Sequence, residues 1–157
     1  MMKNILIILV SLFTPYLFSQ SNQIHDVMKK FSKDKIAYEQ FRYFGELHCM
    51  DTRLDQGDNL LIYGYGAAYN SFYPFPRFIN LESLKAIYTQ YEALRIKKIG
   101  VPCGSNEVEN CTKLYRRNST LKKAYKELVL DKNSYHIETN QYILDFLENY
   151  FIRMKTD

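Results

Sequence analysis

The spacing of apolar and aromatic residues is the feature that most restricts the fold of this chain. Along most of the sequence these residues recur at intervals of three, four or seven, which is the period of one face of an α-helix. The clearest series is Ile24, Val27, Met28, Phe31, Tyr38, Phe41, Gly45 and Cys49. The pattern predicts a single all-α domain, a compact bundle of about five helices joined by short loops.

Residues that favour turns and caps place the ends of the predicted helices. The first series predicts one long helix from about Asn22 to about Arg53, which the segment DQGDN then ends. Asn80 is a good N-cap for a second helix, and Gly100 followed by Pro102 ends it. The apolar stripe predicted for this helix comprises Leu84, Ile87, Tyr88, Tyr91 and Leu94, with Ile99 as a further candidate. Further helical patterns pass through Cys111–Tyr115, 120–130 and 139–155, with Asn118 and Ser119 interrupting or restarting the helix between the first two. The apolar stripe predicted for 120–130 comprises Leu121, Tyr125 and Leu128, and that for 139–155 comprises Tyr142 or Ile143, Phe146, Leu147, Tyr150 and Met154.

Residues 60–72 (LLIYGYGAAYNSF) fit either a helix or a strand. Leu61 and Tyr65 have helical spacing, whereas Ile62 and Tyr63, close to two glycines, suit a strand. Each glycine destabilises a helix by about 1 kcal/mol relative to alanine. Small residues also let a second helix approach closely, which offsets that cost, and we therefore favour a helix.

The first 19 residues have the composition of a secretory signal. Lys3 is the only charge ahead of a long apolar run, residues 5–18. That run is shorter than the roughly 20 residues of a membrane span, and a small residue precedes the predicted cleavage site. An uncleaved anchor is the alternative, and Pro15 argues against it. The sequence therefore predicts a signal peptide at 1–19 and an exported helical domain at 20–157.

Charge and cysteine content narrow the classes of partner. The formal charge of the full chain is +4, and the predicted signal contributes one of the cations. So mild a charge on an exported protein does not favour nucleic acid. Cys49, Cys103 and Cys111 would meet an oxidising compartment, where three cysteines form at most one internal disulfide. The residues by themselves leave all three pairings open.

One stretch, GELHCMDTRLD, concentrates residues capable of chemistry. On a helix, His48, Asp51 and Asp55 share a face and have the spacing of metal ligands, but no second His or Cys pair supports such a site. Glu46 with either aspartate is a candidate acid–base pair for hydrolysis. His48 with Cys49 is a candidate nucleophile pair, which export and a disulfide disfavour. A solvated helix face is the simpler interpretation, so the sequence predicts no catalytic residue, no metal and no cofactor.

Two segments are candidates for binding a partner. FYPFPRF (72–78) is either an aromatic plug at one end of the bundle or an exposed recognition loop. In the second case Tyr73, Phe75 and Arg77 are the anchors, because Tyr, Phe and Arg are enriched at interfaces. The other candidate is the polar loop GSNEVEN, in which Ser105, Asn106 and Glu107 are the candidate binding residues.

A basic run follows the polar loop. The segment Lys113–Lys126 (KLYRRNSTLKKAYK) carries six cations and no acid. A solvated helix face is the simpler interpretation. The functional one is a surface for an anionic partner, such as an acidic protein or a cell-wall polymer.

Three stretches, taken in order, resemble one family of small helical proteins. They are YFGELHCMD, which contains Cys49; YGAAYNSF with the later LESLKAIYTQYEAL; and VENCTKLYRRNSTLKKAYKEL, in which Cys111 leads into Leu-Tyr and a Leu-rich helix. Over about residues 40–130 the chain resembles the periplasmic immunity proteins of the type VI secretion system that neutralise amidase effectors of the fourth family. The sequence departs from that pattern at Cys103, at the long FYPFPRF loop, and at the aromatic pair before Gly45, where a Trp is typical.

The resemblance implies a function, a location and a disulfide. It implies a periplasmic, non-enzymatic inhibitor that blocks a peptidoglycan-cleaving amidase delivered by neighbouring cells, and it implies a tendency to form homodimers. It also implies a Cys49–Cys111 disulfide with Cys103 free, and both paired cysteines lie on apolar helical stripes. Cys103–Cys111 is the competing pairing. On this interpretation Cys49 faces the core, while His48, Asp51 and Asp55 face solvent.

Two other function classes stay open beside the inhibitor. One is a small exported hydrolase that uses Glu46 with Asp51 or Asp55. The other is a structural module that binds the cell wall without an enzyme partner. The inhibitor is the function that we expect.

Overall fold

The computed structural model describes residues 24–55, 57–69, 74–100, 106–136 and 140–153, and the fold of these residues is all-α, as predicted. The described residues contain eight α-helices rather than about five, and one antiparallel bridge joins Ile79 to Tyr135. The predicted signal peptide at 1–19 lies outside the described residues. The helices are α1 (24–31), α2 (Lys35–Arg53), α3 (Asn59–Tyr69), α4 (Phe75–Phe78), α5 (Leu81–Ile99), α6 (Glu107–Leu114), α7 (Ser119–Leu130) and α8 (Asn140–Arg153), with a 3-10 turn at Lys132–Ser134.

The long helix predicted from about Asn22 to about Arg53 is in fact interrupted, and the described part of it forms α1 and α2. The chain turns after Phe31, and the Asp34 side chain accepts a hydrogen bond from the Ala37 amide at 2.8 Å, which caps α2. Tyr150 in α8 donates to the same carboxylate oxygen at 3.0 Å. The apolar stripe continues at helical spacing across this turn, so the periodicity conceals the break.

The ambiguous segment is helical wherever the structure describes it, as we favoured. α3 runs antiparallel to α2 and packs against it closely at Gly64, where a Cβ atom would lie 2.4 Å from Leu47 Cδ1. Gly64 therefore has the predicted role of admitting another helix. Gly66 does not share that role, because a Cβ there would have nothing within 4 Å.

The prolines of FYPFPRF lie at the start of a short helix and not within a helix interior. Residues Phe75–Phe78 form the single turn α4, with Pro74 at its N-cap and Pro76 in the first turn, where no intrahelical N–H is needed. Phe75 and Phe78 are fully buried. The Phe78 ring centroid lies 4.4 Å from that of Phe31, edge to face. In the described part of the segment, residues 74–78, both phenylalanines are therefore buried, as the aromatic-plug interpretation expects.

Tyrosine hydroxyls join the helices inside the core. Tyr88 donates to the Phe41 carbonyl at 2.5 Å, Tyr91 to the Leu114 carbonyl at 2.8 Å, and Tyr125 to the Phe31 carbonyl at 2.8 Å. Each bond satisfies a hydroxyl that water does not reach. Burial raises the pKa values of Tyr88 and Tyr125 well above the ordinary range, so these hydroxyls stay donors.

The predicted caps of α5 are confirmed, but its apolar stripe is only partly so. Asn80 accepts a hydrogen bond from the Ser83 amide at 2.8 Å, and Gly100, with a φ of 73°, ends the helix. Leu84, Tyr88 and Tyr91 are buried as expected, whereas Leu94 is 60% exposed. The buried face continues through the partly buried Arg95 instead, which lies about 100° away from Leu94 on the helix. In α8 the predicted Leu147 and Tyr150 are buried and Tyr142 is exposed.

Candidate functional site

A disulfide between Cys49 and Cys111 joins α2 to α6, so the predicted pairing is confirmed. Their Cα atoms are 5.6 Å apart, 62 positions separate them in the sequence, and both residues are fully buried. Cys103 lies outside the described residues. The disulfide therefore fixes the polar stretch GELHCMDTRLD against the start of the basic run.

Gly45 permits the close contact between α2 and the end of α6. A Cβ atom at this position would lie 2.0 Å from Cε1 of the Tyr115 ring. The ring fills that space, and its hydroxyl donates to Glu92 Oε1 at 2.8 Å. Burial, reinforced by the Glu92 carboxylate, raises the pKa of Tyr115 well above its ordinary value.

His48 does not face solvent, and that prediction is wrong. The residue is 8% exposed, and its Nδ1 lies 3.1 Å from Glu92 Oε1, the oxygen that also accepts from Tyr115. The imidazole ring centroid is 5.6 Å from that of Tyr88. α5 covers this side of α2 and supplies both the acid and the aromatic ring. His48 therefore takes part in a polar network inside the bundle.

Asp51 is also buried, at 2% exposure, so its predicted solvent position is wrong as well. Its two carboxylate oxygens accept hydrogen bonds from the amides of Leu60 and Leu61, at 2.9 and 2.8 Å. These amides belong to the first turn of α3, where a carboxylate also suits the helix dipole. Asp55 is exposed, as expected, with a φ of 51° in the turn that follows.

Two residues of the candidate acid–base pairs of GELHCMDTRLD, Glu46 and Asp51, bond to different neighbours. Glu46 accepts from Thr112 Oγ1 at 3.4 Å and lies 3.7 Å from Arg42, whereas both oxygens of Asp51 are engaged with α3. Burial is the main cause that raises the pKa of Glu46, and Arg42 opposes it. Within the described ranges, no group of three His, Cys, Asp or Glu side chains is placed to hold a metal ion.

The candidate binding residues of the polar loop hold the start of α6 in place. The Asn106 side chain accepts from the Glu109 amide at 2.9 Å and caps the helix. Glu107 Oε2 accepts from Arg53 Nη1 at 2.9 Å, and this hydrogen bond lowers the pKa of Glu107. Asn106 is exposed and Glu107 partly so, while Ser105 lies outside the described residues.

Of the three aromatic-loop candidates, only Arg77 lies near the surface in the described structure. Its guanidinium carbon is 5.1 Å from the centre of the Phe146 ring and 5.9 Å from that of Tyr69. Its Nη1 donates to the Tyr142 hydroxyl at 3.1 Å, which ties α4 to α8. Phe75 is fully buried and therefore cannot touch a partner, which corrects its assignment. Tyr73 lies outside the described residues.

The outer face of α3 is the surface that the sequence did not reveal. This 11-residue helix contains no charged residue. Ile62, Tyr63 and Tyr69 are 50%, 81% and 47% exposed on it. The helix is apolar on both its buried and its exposed sides, so periodicity cannot separate them. The lack of any charge was the one sign in the sequence that its outer side is unusual.

Two cavities flank the solvent-facing edge of α2 and share Lys35 and Glu39. The first, about 510 Å³, lies between α2 and α3, and the second, about 450 Å³, lies between α2 and the start of α7. The first is lined by Lys35, Ile36, Glu39, Gln40, Tyr43, Phe44 and Ala68. The second is lined by Lys35, Tyr38, Glu39, Arg117, Asn118, Ser119 and Lys122.

The basic run divides between paired and unpaired cations. Arg117 lies 2.6 Å from Glu39, Lys113 lies 2.7 Å from Glu109, and Lys123 lies 3.5 Å from Glu127. The other three cations, Arg116, Lys122 and Lys126, are exposed and have no ion pair with any residue that the structure describes.

Comparison with protein-family models, with curated proteins and with solved structures found no match for this chain. Among the described helices, none has the length and apolar character needed to cross a membrane. An assignment of function therefore depends on the residues of the chain itself.

Proposed function

We propose that this chain is a non-enzymatic binding protein of the periplasm, and that its partner is a peptidoglycan amidase effector of the type VI secretion system. The outer face of α3 is the observation that carries the binding role. Tyr63, 81% exposed, and Ile62, 50% exposed, are consecutive residues of a helix without charge. Exposed apolar patches of this kind mark interaction sites on soluble proteins, and tyrosine is a frequent anchor in them.

The polar stretch GELHCMDTRLD supports a non-enzymatic role. Asp51 caps α3, and His48 is bound to Glu92 inside the bundle. A catalytic acid or base needs a free position within hydrogen-bonding reach of a substrate. The bonds of these two side chains already join the helices to one another.

The choice of an amidase as partner comes from the sequence resemblance. The disulfide Cys49–Cys111 supports it, because the resemblance implies that pairing and the pairing is observed. A structural disulfide also suits an oxidising compartment such as the periplasm. The mechanism that we propose is steric blockage of the enzyme cleft. Because the resemblance implies a tendency to form homodimers, we also propose that this chain is a homodimer.

Expression in the periplasm tests the proposal. The gene of an amidase effector is expected beside the gene of this chain. Its product is exported to the periplasm of a test bacterium, alone or together with this protein. We expect lysis when the neighbour is alone and survival when both are present. Equal lysis in the two cultures would reject the inhibitor function.

Glu46 favours one alternative, a small hydrolase. Burial raises the pKa of this carboxyl, as a general acid requires. Purified peptidoglycan incubated with the protein alone tests this alternative. Release of soluble fragments that is lost in Glu46→Gln would support the hydrolase, and intact peptidoglycan would support the binding protein.

A further inference from the structure

The solvent-facing edge of α2, from Lys35 to Tyr43, has an apolar half and a cationic half. We call it the α2 edge. Both cavities described above open along it, since Lys35 and Glu39 line each of them. A surface with two such halves selects a partner with two matching groups.

The apolar half lies between α2 and α3. Ile36, Tyr43 and Ala68 line it, and the Tyr43 ring is 54% exposed. The ring lies near Gly64, where a Cβ would come within 3.8 Å of Tyr43 Cε1. This half therefore offers an aromatic wall and a recess to one apolar side chain.

The cationic half lies where α2 and α7 begin. Lys35, Arg117 and Lys122 line it against the single acid Glu39, which lies 2.6 Å from Arg117 and 2.5 Å from Arg42. Lys35 and Lys122 form no ion pair with any described residue. Lys35 is also the first residue of α2, where the helix dipole repels a cation. The surplus positive charge is destabilising in the free protein and favours an anionic occupant.

We propose that the α2 edge binds an acidic segment of a partner protein, which places an apolar side chain in the α2–α3 half and a carboxylate in the α2–α7 half. This inference rests on the proposed binding function and adds a second contact surface to the outer face of α3. Lys35 and Tyr43 are eight residues apart on one helix, which corresponds to about 12 Å. The α2 edge is therefore about 12 Å long, and its two halves lie side by side along it. Charge complementarity selects a carboxylate-bearing protein, while the apolar half distinguishes it from a simple polyanion.

Reversing a charge in the cationic half tests whether the α2 edge is the binding surface. The probe is the amidase expected from the neighbouring gene. We expect Lys122→Glu to raise the Kd by about tenfold or more, because it places a like charge opposite the carboxylate. Tyr43→Ala should weaken binding through loss of the aromatic wall. Lys98→Glu is the matched control, since Lys98 is exposed in the last turn of α5, and it should leave the Kd unchanged. Undiminished binding by both edge variants, with unchanged circular dichroism, overturns the α2 edge and leaves the amidase function standing.

Selection from a random peptide library on the wild-type protein gives a test that needs no amidase. Enriched peptides should combine acidic and apolar residues, bind Lys98→Glu, and lose binding to Lys122→Glu. Neutral or basic peptides, or equal binding to both variants, overturn the inference. If acidic peptides meet these criteria but the amidase does not bind, the α2 edge stands as a binding surface and the amidase is rejected as the partner. Self-association that is lost in Tyr43→Ala, with peptide binding unchanged, would assign the edge to a second copy of the chain and overturn the inference.

Discussion

At the scale of single residues, the polar side chains of GELHCMDTRLD act on structure. Asp51 and His48 point into the bundle and bind groups on α3 and α5. A buried carboxylate or imidazole without partners would be strongly destabilising. The burial of each of these side chains therefore depends on the helix that covers it. A helical wheel of α2 alone gives no information about that neighbouring helix.

Asp51 should contribute measurably to stability through α3. Asp51→Ala removes the acceptor for the Leu60 and Leu61 amides, so we expect the free energy of unfolding to fall by about 1–2 kcal/mol. Urea denaturation followed by circular dichroism measures it. Asp26→Ala, at an exposed position of α1, is the control and should stay within about 0.5 kcal/mol. Equal stability of both variants would show that Asp51 does not act as this cap.

Gly45 and Gly66 should respond in opposite directions to alanine. At Gly45 the new methyl group meets the Tyr115 ring, which the Glu92 bond holds in place, so Gly45→Ala should destabilise the fold by about 1–3 kcal/mol. At Gly66 the methyl group meets open space, and the gain in helix propensity should stabilise by up to about 1 kcal/mol. Thermal unfolding of the two variants compares them. A stabilising Gly45→Ala would contradict the close packing of α2 on Tyr115.

The raised pKa of Glu46 predicts how the stability of the fold changes with pH. Burial raises the pKa of its carboxyl in the folded protein, so the folded state holds the proton more tightly than the unfolded state does. Stability therefore falls as the pH rises through the interval between the two pKa values. We expect Glu46→Gln to be more stable than the wild type at pH 7 and equal to it in acid.

Urea denaturation across the acidic range checks this sign. Glu148→Gln in α8 is the control, because Glu148 is exposed, and it should show no such trend. A Glu46→Gln variant that is less stable at neutral pH would contradict the assignment.

At the scale of elements, the sequence predicted helix ends and buried faces well where residues close in the sequence determine them. The caps at Asn80 and Gly100 and the buried stripe of α7 through Leu121, Tyr125 and Leu128 follow from neighbouring residues alone. The break before α2 was missed because the apolar spacing runs through it. The outward face of α3 and the burial of His48 depend on distant helices, which no local pattern records.

Among the interactions that join the helices, the disulfide should contribute the most to the free energy of unfolding. Cys49 and Cys111 are 62 positions apart, and the chain-entropy model assigns a loop of this length about 4 kcal/mol. The double variant Cys49→Ala/Cys111→Ala should lose a comparable free energy of unfolding in urea. Cys103→Ser should retain the bond by peptide mapping without reduction. Loss of the bond in Cys103→Ser would contradict the pairing.

At the scale of the whole molecule, the disulfide-linked core and the proposed α2 edge lie on different sides of α2. One side holds the disulfide and the tyrosine network, and the other side holds the two cavities. A rigid α2 would present the α2 edge in one orientation, which lowers the entropy lost on binding. The architecture suits a protein that acts by fitting a partner.

The most direct test of the central claim is a titration of the proposed partner, an amidase encoded by a neighbouring gene, with this protein. The enzyme is mixed with increasing amounts of purified protein comprising residues 20–157, and release of soluble fragments from peptidoglycan is followed. We predict that hydrolysis stops once the protein equals the amidase in amount, and that Lys98→Glu inhibits as well as the wild type. Full hydrolysis in the presence of a large excess of the folded protein would contradict the account.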